Sequence, residues 1–177
     1  MTSILHGALT SNGIVNGVLW DGWKWTNGGS PVALSYYFAN DGGQRWGEAG
    51  NGLPLEKEAY RNALATWASV ANISFVETTN RANANLVENI LSSAEMTSFT
   101  GSSGTVGLHD TPQQANAAHT YNIDGLHSAS FTLNQAGGFY NYQSLGQTSW
   151  TNSQLVPGSY FEMGHSCTAA SRLPMAW

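Results

Sequence analysis

Charge is what this chain has least of: Asp, Glu, Lys and Arg together make up 10% of its 177 residues, where about a quarter is usual. The polar surface therefore falls to Asn, Gln, Ser, Thr and Gly, a profile that suits an extracellular protein. Lys and Arg number six against eleven acids, and no basic cluster occurs, which excludes a nucleic-acid or anionic-membrane surface. Cys167 is the single cysteine, so no disulfide framework exists and the core, self-association or metal ions must hold the fold. No apolar run approaches the roughly 18 residues of a membrane span. The first residues show no basic segment followed by an apolar one, so no signal peptide is visible.

What is present is enough for one domain. Hydrophobic residues are 41% of the chain, and this length can bury a sizeable core. Residues 1–17 are small, polar and Gly-containing and read as a loose N-terminal arm. Residues 32–38 (Val-Ala-Leu-Ser-Tyr-Tyr-Phe) are β-branched and aromatic, a strand, closed by the Asn40-Asp-Gly-Gly43 turn. The best helix begins near Pro54, with Glu56 and Glu58 where the helix dipole favours acids. Leu55, Ala59, Tyr60, Ala63, Leu64, Trp67, Ala68 and Ala71 recur at helical spacing along it. A two-residue period follows in 73–77, and 82–88 and 127–134 read as further strands. Residues 92–118 are polar with little periodicity, and 135–157 read as loop. No internal repeat or domain boundary emerges, so 1–177 is one α+β domain.

Three stretches carry a family resemblance. Asp21-Gly-Trp-Lys-Trp25 leads into Leu34-Ser-Tyr-Tyr-Phe38. Then comes Ala63-Leu-Ala-Thr-Trp-Ala-Ser-Val-Ala-Asn-Ile-Ser-Phe-Val-Glu77, the most specific of the three. Last are Gly138-Phe-Tyr-Asn-Tyr142, Trp150-Thr and Pro157-Gly-Ser-Tyr160. In this order they resemble the protease domain of the serralysin-type zinc metallopeptidases of the metzincin group, whose members carry calcium-binding repeats. The resemblance implies a metzincin-like catalytic domain: a twisted, mostly parallel mixed sheet with a long helix and an active-site helix. It also implies secretion to the extracellular space, and hydrolysis of a polypeptide substrate by metal-activated water. The substrate would lie extended along an edge strand, here 128–133.

Members of that family bind zinc through H-E-x-x-H-x-x-G-x-x-H. Histidines four apart share a helix face and reach one metal. The glutamate polarises the zinc-bound water, whose pKa falls to about 7. On this chain the pattern falls on Phe161-Glu-Met-Gly-His165-Ser-Cys-Thr-Ala-Ala-Ser171. Glu162 matches the catalytic base and His165 one metal ligand. Phe161 and Ser171 stand where the other two histidines belong, and Thr168 where the glycine belongs. The apolar turns expected between Tyr160 and the first ligand are missing, so the active-site helix is incomplete. Residues 166–177 read as an aberrant tail, without a methionine turn or calcium repeats. Zinc is thus the cofactor the resemblance implies, and its binding here is compromised.

His6, His109, His119 and His127 are the other histidines, and none has metal-ligand spacing with another. Asp110 and Asp124 each lie near one of them, which favours orienting hydrogen bonds over ligation. Two readings follow: a zinc endopeptidase domain of impaired activity, or a scaffold, binding module or truncated product without zinc. A chain stopping at Trp177 would leave apolar surface uncovered, and self-association is the expected consequence.

Overall fold

The computed structural model describes residues 2–7, 23–27, 31–44, 46–47 and 56–142. The fold is α+β. A small antiparallel ribbon pairs β1 (Ser3–His6) with β2 (Trp23–Thr26), so part of the stretch expected to be a loose arm is a strand. Next come β3 (Val32–Ala39), the long helix α1 (Glu56–Val70) and β4 (Ile73–Glu77). A 3₁₀ turn (Arg81–Asn83) leads into β5 (Leu86–Leu91). Helix α2 (Ser93–Thr100), strand β6 (Gly107–His109) and the short helix α3 (Pro112–Ala115) follow. The hairpin of β7 (His119–Asn122) and β8 (Ser128–Phe131) precedes β9 (Ala136–Asn141).

Five of these strands form the main sheet, in the order β4-β3-β5-β9-β6. Strands β4, β3, β5 and β9 run parallel, and β6 closes one edge antiparallel to β9. The sheet is thus mixed and mostly parallel, as expected. Every residue of β5 and β9 is buried, which is the mark of parallel strands covered on both faces.

Side chains alternate between two cores. On one face Leu34, Tyr36, Leu86, Ile90, Ala136 and Tyr140 meet Ala59, Tyr60, Ala63 and Leu64 of α1, with Trp46 wedged among them. These four α1 residues belong to the stripe read from helical spacing. On the other face Val87, Leu91 and Phe139 pack with Met96 of α2 and with Ile123, Ala129 and Phe131 of the hairpin. Among the described residues no helix is long and apolar enough to cross a membrane.

Four expectations change. Residues 82–88 are not one strand: Asn80 accepts the Ala82 N–H and caps the 3₁₀ turn, so pairing starts only at Leu86. Asn85 ties the entry down, its Oδ1 accepting from the Ser35 N–H. The 92–118 stretch contains α2, β6 and α3, and both helices open with capping boxes, Ser92 with Glu95 and Thr111 with Gln114. Residues 136–141 are not loop but the strand β9, inside the sheet. Finally, β8 pairs with β7 alone and is no edge of the main sheet, whose edges are β4 and β6.

Candidate functional site

Glu162 and His165 lie outside the described residues, together with Phe161, Thr168, Ser171 and the 166–177 tail. Among the described residues, the groups able to do chemistry gather around β6 and the β7–β8 hairpin. They form three clusters.

The first is a buried pair at the sheet edge. Glu88 on β5 is wholly buried, and its Oε1 lies 3.1 Å from Nε2 of His109 on β6. His109 Nδ1 donates to the Asp110 carbonyl at 2.8 Å. Glu88 Oε2 has no partner among the described residues. Burial pulls the His109 imidazolium down, but the Glu88 carboxylate beside it and the Asp110 carbonyl outweigh that, leaving its pKa pushed up to about 9. The His109 ring is therefore held in its charged form at neutral pH, against Glu88. Gly138 on β9 makes room for it: a Cβ there would collide with Glu88 Oε2 and come within 2.8 Å of His109 Cδ2.

The second cluster centres on Asp110, which is 6% exposed. Its Oδ2 accepts from His119 Nε2 at 2.8 Å and from the Gly137 N–H at 2.6 Å. Its Oδ1 accepts from the Tyr121 hydroxyl at 2.6 Å. Burial, and then the Asp110 carboxylate, push the Tyr121 hydroxyl far up, keeping it a proton donor. His119 Nδ1 donates to the Ala117 carbonyl at 2.9 Å. One carboxylate thus clamps the hairpin to β9. Asp110 serves His119, nine residues on, and not its neighbour His109.

Both nitrogens of His109 and both of His119 face acceptors, so both rings are engaged within their own clusters. Replacing Asp110 with Ala is expected to destabilise the protein by about 2 kcal/mol, read as the shift in its urea midpoint. The buried Gly137 N–H loses its acceptor, whereas the partly exposed His119 and Tyr121 regain water.

The third cluster joins two loops near the carboxyl end of β5. Asp124 in the hairpin turn accepts from the backbone N–H groups of Leu126 and His127 through Oδ1, and its Oδ2 lies 2.9 Å from His127 Nδ1. The His127 hydrogen bonds hold the Asp124 carboxyl down at about 2, and Asp124 in turn raises His127. This is the orienting bond expected for Asp124. Glu95 of α2 uses Oε2 to accept from the Ser92 N–H and hydroxyl. One ligand-capable atom from each of Glu95, Asp124 and His127 lies within 4.8 Å of the other two.

Glu88 and Glu95 escape sequence reasoning as site residues. The Ser92-x-x-Glu95 capping box was the available signal for one. An acid set between the apolar pairs Leu86-Val87 and Ile90-Leu91 was the signal for the other. Compared with protein families, with characterised proteins and with solved structures, the chain shows no significant match.

Proposed function

We propose that this chain is a zinc metallopeptidase scaffold of the serralysin type whose hydrolytic centre is impaired. The observation that carries the reading is the segment 161–171, where Glu162 and His165 keep the base and one ligand while Phe161 and Ser171 replace two histidines. A phenyl ring has no lone pair to give a metal, and a neutral hydroxyl is a weak substitute for imidazole. The donor set does not fit tetrahedral zinc, so no hydrolytic step is assigned. The mixed, mostly parallel sheet, with a long helix between its first two strands, supports the scaffold half of the reading. The saturated hydrogen bonds of His109 and His119 support the impaired half.

The test is a chelator-controlled casein assay on the purified chain, with Phe161→His alongside. Neither protein is expected to cleave casein, because the imidazole gained at 161 still lacks the third ligand at Ser171 and the missing helical turns. Chelator-sensitive cleavage by either would overturn the impaired centre.

A further inference from the structure

Glu95, Asp124 and His127 stand apart from the peptidase reading. The β3–β5 boundary is where the strand order reverses, since β4 follows β3 on one side and β5 lies on the other. In open sheets of parallel strands, ligands settle at the carboxyl ends beside such a reversal. The turn after β3 and the start of α2 after β5 meet there. A Cβ on Gly42 would come within 3.3 Å of Glu95 Oε1, and one on Gly43 within 2.9 Å of His127 Nε2. The two glycines bring the backbone close to both groups and put no side chain between them.

The charges are out of balance. Glu95 is 8% exposed and makes no ion pair among the described residues. Its Oε2 is taken by the Ser92 cap, and Oε1 receives no hydrogen bond among the described residues. Asp124 brings a second carboxylate, whose Oδ2 lies 2.9 Å from His127 Nδ1. Two carboxylates meet one imidazole, a mixed oxygen and nitrogen donor set gathered from a helix and a hairpin turn. Asn89, on the same face of β5, is wholly buried. Its Oδ1 accepts the Asp41 N–H beside the two glycines, and its Nδ2 has no partner among the described residues.

We propose that Glu95, Asp124 and His127 form a binding site for a divalent first-row cation of the zinc class. An imidazole with two carboxylates suits such ions, whereas calcium and magnesium favour all-oxygen cages. Donor atoms around zinc, with bonds of about 2.0 Å, stand about 3.3 Å apart in a tetrahedron. The Asp124–His127 pair is at 2.9 Å, and the group as a whole lies within 4.8 Å.

Calorimetric titration of the chelator-stripped full chain with zinc chloride tests the site. About one equivalent is expected to bind, with the His127→Ala protein weaker by at least about 100-fold and Glu95→Gln by at least about tenfold. The glutamine keeps a carbonyl for the Ser92 cap, and circular dichroism checks that both variants fold. His165→Ala separates this site from the 161–171 segment and is expected to bind zinc as the parent does. Absence of binding, unchanged affinity in folded His127→Ala, or loss of binding in His165→Ala would each overturn the proposal.

Discussion

Gly138→Ala is expected to destabilise the protein by about 4 kcal/mol, a large part of the stability of an ordinary domain. The added methyl occupies the space of Glu88 Oε2 and crowds the His109 ring. Overpacking alone costs about 1–3 kcal/mol. Here it also drives a wholly buried carboxylate away from its imidazolium, and a broken buried pair costs about 3–5 kcal/mol. The two losses overlap, because yielding to one relieves part of the other. Equilibrium unfolding in urea, followed by circular dichroism, measures the shift in midpoint. A change below about 1 kcal/mol would mean that β9 tolerates a side chain here, and that the glycine is not required by the pair.

His109→Ala is expected to cost about 3 kcal/mol at neutral pH, because it strands the Glu88 carboxylate without a partner. The pH dependence is the sharper readout. In the folded protein His109 titrates at about 9, against about 6.5 in an unfolded chain. A raised histidine stabilises the fold fully below its unfolded pKa and ceases to do so as the pH climbs through its folded pKa. Stability of the parent protein should therefore fall between about pH 6.5 and pH 9. His127 is raised as well and adds in the same direction, so the difference between parent and variant isolates His109. In His109→Ala this part of the decline should vanish. An unchanged profile would show that Glu88 and His109 do not share an ion pair.

Elements built on local periodicity were legible without the fold. Strand β4 falls on 73–77 as its two-residue period predicts, and β3 runs one residue past the expected 38. The α1 stripe packs where its spacing points, since Tyr60 and Leu64, one helical turn apart, enter the same core. Helices α2 and α3 were missed although Ser92-x-x-Glu95 and Thr111-x-x-Gln114 announce them. A helix of four residues or eight offers too few turns for an apolar period to emerge. Strand β9 was missed for a different reason. Ala-Gly-Gly-Phe-Tyr-Asn has two residues that weaken strands, and the cause of those glycines lies on other elements. Phe131 of the hairpin comes within 2.7 Å of where a Gly137 Cβ would stand, and Glu88 fills the place beside Gly138.

The same division applies to the sites. The likeness of 161–171 to a zinc motif was a reading from sequence alone, because such a motif is a matter of spacing along the chain. The Asp124–His127 bond was readable too, being three residues long. Glu88–His109 spans 21 residues and Asp110–Gly137 spans 27, and both depend on which strands become neighbours. Sequence alone therefore determined the α+β class, the long amphipathic helix and the scarcity of charge, since each is a local or compositional property. Tertiary structure alone decided the strand order β4-β3-β5-β9-β6, the burial of β9 and the pairing of His109 with Glu88 and of Asp110 with the Gly137 N–H. Those contacts join residues far apart in the chain, and their energy comes from burial on both faces of a sheet whose order no local pattern encodes.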